Sequence, residues 1–353
     1  MRAISVTTAL CAGFVLTACT PPEPPSAPPA APPAVTAVAP PAATPTEPTP
    51  APPGTVAATS EPALPSPPPP ITDLVDSPGD ARLDPAAGFI KAGQHLKARL
   101  ALTKALPDID KSGSLDVKMA AHALLGRACS SLADAKCAAE QYTIVRAAWK
   151  DPTAAIKELD AVGGDDKSKL DRLRRALNAA GEALFHAAEE KRLAADKERF
   201  PVYTGKGDKE SVTKHITTKV AAWVKARRAL LEEADKAYSS VVQIQPAPPP
   251  QWVVASSARV AAMWGRFVAE FRAAPIPREW IGSGVVPGTS IKQEEMRASY
   301  YAAIDEAAAP QRAMVRAAFK TCQDMSQKFG IKDEYAKSCD SWMAKNPATA
   351  ATP

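Results

Sequence analysis

The chain predicts an all-α fold, and three observations carry that reading. Apolar residues recur at spacings of three and four, no stretch alternates convincingly as a strand, and the interruptions fall where Gly and Pro cluster. Leu170, Leu173, Leu177 and Leu184 form one such stripe, and Val212, Ile216, Val220, Trp223 and Leu230 a second. Val253, Val260, Trp264, Phe267 and Phe271 form a third. After Ala81 the chain is Ala-rich with few β-branched runs, so propensity and pattern agree. Roughly 270 residues suffice for a substantial core in one elongated or two small units.

The first element is not part of that core. Residues 1–18 carry one cation (Arg2), an apolar stretch with Leu10, Phe14, Val15 and Leu16, and then small residues. This is the layout of a signal peptide, and it is shorter than the about 20 apolar residues a spanning helix needs. The run Leu16-Thr17-Ala18-Cys19 resembles the lipobox of bacterial lipoproteins: an aliphatic residue, two small residues, then a cysteine. The resemblance implies that Cys19 is lipidated, as with palmitate, and becomes the mature N-terminus. The alternative is an ordinary secretory signal cleaved after Ala18. Thr20 stands where family members retained at the inner membrane often carry Asp, so the resemblance implies the outer membrane, facing the periplasm. Each acyl methylene in a bilayer contributes about 0.8 kcal/mol, so two or more chains anchor stably.

Residues 19–80 follow as a linker. From Pro21 to Pro70 the chain is Pro, Ala, Thr and Glu with almost no large apolar side chains, and it cannot offset the entropy of ordering. The sequence predicts a disordered, semi-rigid spacer that reaches about 150 Å when fully extended. Between Cys19 and Ala81 there is no Lys or Arg, while Glu23, Glu47, Glu61, Asp73, Asp76 and Asp80 are acidic. The 43 bases less Arg2, against 38 acids less those six, leave the remainder at +10. Such an excess fits weak attraction to anionic envelope polymers such as peptidoglycan.

Residues 81–155 come next. In His122–Pro152, Leu125-Gly126, Cys129, Ala138 and Tyr142 resemble the pattern of a tetratricopeptide repeat, with His122 where the family has tryptophan and Pro152 two residues late. The resemblance implies two antiparallel helices brought close by Gly126 and Ala138, with a weaker copy at Ala98, Leu102 and Ala105. It also implies an exposed binding groove, lined on its first helix by residues such as Arg127 and Ser130.

Residues 156–345 complete the folded part, and 346–353 read as a disordered tail. Breaks at Gly163-Gly164, Thr204–Asp208, Pro246–Pro250 and Pro275–Pro287 divide the whole into about nine helices. Two long ones, from about Lys167 to Arg199 and Asp208 to Gln243, fold back on each other through a tight turn at Gly205–Gly207, and a C-terminal helical bundle follows. The loop from Pro275 to Ser290 carries Trp280, Ile281, Val285 and Val286. That is either a second binding surface or a lid with Trp280 folded onto the core.

Cys129, Cys137, Cys322 and Cys339 remain once Cys11 and Cys19 are set aside, and an exported chain meets an oxidising compartment. Residues equidistant from the turn of a helical hairpin face each other. Cys129 and Cys137 are centred on Ala133, and Cys322 and Cys339 on Gly330-Ile331. Both sequential pairings meet this symmetry and no other does.

No enzymatic constellation is convincing, so the sequence predicts neither a catalytic residue nor a metal or cofactor. Glu182, His186 and Glu190, four apart, could hold a metal or relay a proton, but they equally describe a solvated face with i,i+4 pairs. His95, His122 and His215 lack carboxylate or cysteine partners in sequence. Gly205-Lys206-Gly207 lacks the Walker spacing of a phosphate loop. The expected function is a lipid-anchored scaffold for protein–protein contacts in the envelope. An accessory protein binding an anionic polymer is the alternative and an enzyme the third reading. Nucleic acid is not an expected partner.

Overall fold

The computed structural model describes residues 72–76, 78–205, 208–273, 276–286 and 288–347. The signal-like segment, Cys19, the Pro-rich tract and the chain after residue 347 lie outside the described residues. The fold is all-α: twelve α-helices and no strand among the described residues. The sequence predicts about nine; the surplus includes helices of five, eight and seven residues, too brief to show an apolar stripe.

α1 (Thr72–Asp76) falls inside the segment read as linker. Leu74 and Val75 are nonetheless fully buried against the helices that follow, so the folded part begins near residue 72 rather than 81. Two adjacent apolar side chains are enough to dock one helical turn. α2 (Asp84–Lys91) packs on α3 (His95–Ser112), α3 on α4 (Leu115–Ser131), and α4 on α5 (Ala135–Ala148). Residues 122–152 therefore do form a helical hairpin. Gly126 permits its close approach: a Cβ there would lie 2.9 Å from the Tyr142 ring.

After α6 (Pro152–Ala161) comes α7 (Asp166–Ala195), the central pillar of the molecule. Its middle is built from small residues: Ala176, Ala179, Ala180, Gly181 and Ala183 are all buried. Neighbours can thus approach from several sides, and α4, α5, α6, α10 (Pro250–Arg272) and α9 (Ala221–Val242) all pack on it. α8 (Lys209–His215) runs into α9 through a π-helical turn at Ile216–Val220. The return from α7 is longer than the sequence predicts, because α7 ends at Ala195 and α8 begins at Lys209; Lys206 and Gly207 of the expected turn lie outside the described residues. The intervening chain carries Phe200, whose ring packs edge-on to Trp223 at 4.9 Å.

α11 (Gln293–Phe329) is the longest helix, 37 residues, and packs along α10. It stops at Gly330, whose φ of 66° is left-handed and free of strain only for glycine. α12 (Glu334–Lys345) then turns back on α11. Aspartates start many of these helices: Asp134, Asp151, Asp165, Asp208 and Asp333 each accept a backbone N–H of the first turn. One contiguous apolar core runs from Leu74 to Cys339, so residues 81–155 and 156–345 share it.

Cys129 is bonded to Cys137 and Cys322 to Cys339, the two pairings that hairpin symmetry selects. The second closes 17 residues of chain, worth about 3 kcal/mol in the loop-entropy account. α12 is otherwise held by Tyr335, fully buried, and by Trp342 stacked 4.2 Å from Phe319. Reduction should therefore raise amide hydrogen exchange in α12 before α7 responds. Simultaneous loss of protection in both helices would contradict this ordering.

Candidate functional site

Arg127 does not line an open groove. It sits beneath α7, its side chain only 13% exposed, with Nε donating to Glu182 Oε1 at 2.8 Å and Nη2 to Oε2 at 2.5 Å. The Tyr142 hydroxyl donates to the same carboxylate at 3.0 Å. Burial works against the Arg127 charge, but Glu182 outweighs it and holds the guanidinium above its ordinary value. Burial and then Glu182 push the Tyr142 phenol well above its usual range. Ser130, three residues on, remains exposed. The expected groove is thus covered by α7 at Arg127.

Glu182 is accordingly buried, not part of a solvated face. His186 packs its ring 4.4 Å from Tyr142, and its Nδ1 is 4.0 Å from the half-exposed Glu190. Burial keeps the His186 imidazole below its ordinary value, against the opposing pull of Glu190. The three side chains do not converge, and no group of metal-holding residues occurs among the described residues. His122 is bound up structurally, its ring nitrogens 2.7 Å from Gln141 and 3.1 Å from Asp110.

Glu182 belongs to a series of clamps along α7. Arg175 pairs with the fully buried Asp116 of α4. Glu189 accepts from Tyr238 of α9 and from Arg192 at 2.8 Å, and forms an ion pair with Arg259 of α10 at 3.1 Å. Asp196 accepts from Arg192 at 2.7 Å and Arg227 of α9 at 3.0 Å. Residues 175, 182, 189 and 196 are each two helical turns apart, which keeps them near one face. These charges fix how α4, α9 and α10 sit on α7. Sequence reasoning missed them because, apart from Arg192 of α7 itself, the partners are supplied from other helices; the seven-residue spacing was the available signal.

Trp280 is buried at 3% exposure in a small satellite core with Val212 and Val286, apart from the main core. Ile281 beside it is 64% exposed. A second exposed apolar surface lies on α3. Leu96 and Leu100, one turn apart, are 60% and 64% exposed. Arg99 between them pairs with Asp134 at 3.0 Å, which brings the α4–α5 turn and the partly exposed Leu132 alongside.

A cleft of about 740 Å³ opens beside α9. α9 and α11 each pack along α10, and the cleft is the space left between them. Ile216 and Val220 of the π turn, with Val224, line one wall, and Tyr300 and Ile304 of α11 line the other. Phe200 and Phe271 also line the cleft, each backed by a buried ring: Phe200 abuts Trp223 and Phe271 stacks on Phe267. Lys225, Arg228 and Glu232 stand at the rim of the α9 wall. Arg228 is paired with Glu232 at 2.7 Å, whereas Lys225 makes no ion pair among the described residues.

No helix among the described residues is long and apolar enough to cross a membrane. Comparison with known protein families, with curated proteins and with solved structures finds no match.

Proposed function

We propose that the chain is a scaffold tethered through Cys19 to the outer membrane, facing the periplasm, and that it engages envelope proteins through the outer face of α3. The observation that carries the reading is the Leu96–Leu100 stripe, two large apolar side chains left in solvent one turn apart on α3. Stacked hairpins are rigid over their length, so such a face keeps its shape without a partner. The Lys- and Arg-free tract ahead of the fold would let it reach a partner well away from the lipid surface.

The test is cross-linking of the chain in its native envelope. Leu96→Glu/Leu100→Glu should abolish the captured species at least tenfold while leaving the melting temperature within a few degrees, since neither side chain is in the core. Cys19→Ala should move the protein to the soluble fraction. Undiminished capture by the double variant would overturn the assignment of the face, and membrane retention of Cys19→Ala would overturn the anchor. Capture that collapses with added salt would favour an anionic polymer instead, because charge attraction is screened and an apolar contact is not.

A further inference from the structure

We propose that the cleft between α9 and α11 is a binding site for a long-chain carboxylate, with the hydrocarbon tail against Phe200, Val224, Phe271 and Ile304 and the carboxylate at Lys225. The inference does not depend on the scaffold reading, which rests on α3.

Three observations converge. The first is size and lining. A space of about 740 Å³ falls within the roughly 300–1,000 Å³ of small-ligand sites, and its lining is mainly apolar, with the rings of Phe200, Phe271 and Tyr300 among it. Water there has few polar partners, so an apolar occupant gains about 25 cal/mol for each Å² it withdraws from solvent. The second is charge. All the ionic groups of the lining stand on α9, and Arg228 and Glu232 satisfy each other. Lys225 is left as a cation beside an apolar space, which complements one anionic head and disfavours a cationic one. A four-carbon stem lets its ammonium follow the head while its methylenes stay against the wall. The third is the backbone. The π-helical turn lines the cleft with both Ile216 and Val220. Such turns forgo ordinary helical hydrogen bonding and occur disproportionately at functional sites.

The arrangement makes two quantitative demands. Affinity should rise with tail length, by about fourfold per added methylene, until the cleft is filled. Neutralising the head should remove the contribution of Lys225 and leave that of the walls.

The experiment is calorimetric titration of the full chain carrying Cys19→Ala, so that no covalent acyl group competes, with octanoate, decanoate and dodecanoate below their micellar concentrations. Dodecanol serves as the uncharged control. Dodecanoate should bind stoichiometrically, more tightly than decanoate and octanoate in order, and at least tenfold more tightly than dodecanol. Lys225→Glu should weaken dodecanoate at least tenfold and leave dodecanol unchanged. Val224→Trp and Ile304→Trp, which fill the cleft from opposite walls, should each abolish both, with unfolding curves showing that at least one of them remains folded. No binding by the unsubstituted cleft, equal binding of dodecanoate and dodecanol, binding that survives both Trp variants, or occupation of the cleft by a peptide helix in preference to dodecanoate would each overturn the proposal.

Discussion

Replacing Glu182 with leucine should destabilise the folded chain by about 3–5 kcal/mol, because it leaves the Arg127 guanidinium under α7 without its partner. The low end is the better expectation, since Arg127 keeps 13% of its side chain in contact with solvent. The Tyr142 hydroxyl loses its acceptor in the same step and adds the cost of an unmade buried hydrogen bond. Chemical denaturation read by far-UV circular dichroism measures the effect directly. In a fold of this size the melting temperature should fall on the order of 10 °C. The double variant Glu182→Leu/Arg127→Met should recover most of the loss, because an apolar pair of similar volume needs no desolvated charges. A single variant that costs less than about 1 kcal/mol would show that water reaches this clamp and that α7 is not sealed against α4.

Leucine at Gly181 should be comparably damaging by a different physical route. A Cβ at this position would lie 2.5 Å from Pro249 Cγ and 2.6 Å from Trp252 Cδ1, and neither ring can bend away. Trp252 is itself pinned, its indole N–H donating to the Asn178 carbonyl at 3.1 Å. The start of α10 must therefore move off α7, at a cost of about 3 kcal/mol or more, the upper part of the range for overpacked cores. Gly88 provides the control. It is exposed within α2 and a Cβ there meets nothing within 4 Å, so Gly88→Ala should stabilise by about 0.5–1 kcal/mol through helix propensity. Thermal melts of the two variants should move in opposite directions. A harmless Gly181→Leu would mean that α10 can leave α7 freely.

The helices were legible because their stripes are local. Val253, Trp264 and Phe267 predict α10 from spacing alone, and all three are buried. The cysteine pairs were legible for the same reason, since a hairpin places its partners by symmetry about one turn. Glu182 was not. Its spacing from His186 and Glu190 is that of any solvated face, and only the arrival of α4 and α5 buries it. Leu170 fails in the opposite sense: it continues the α7 stripe yet is 44% exposed. Arg127 was placed on a groove by resemblance, and α7 occupies the place where that groove would open. The cleft could not be read at all, because it is a gap between two helices that share a neighbour, and no residue spacing encodes a gap. The length of the connection after α7 was not legible because glycines mark where a chain can turn, not where the helix before it has already stopped.

The α7 clamps also impose an order on manufacture. A chain threaded N-terminus first, whether from a ribosome or across a membrane, presents Arg127 before Glu182, 55 residues later. Asp116 waits for Arg175 across 59 residues. Throughout that delay α4, whose side chains are nearly all interior in the finished molecule, has no pillar to lie against. The nascent hairpins must stay unaggregated with charges destined for the interior still in water. Those charges are what keep the waiting segment soluble, and the same groups become the latches once α7 arrives.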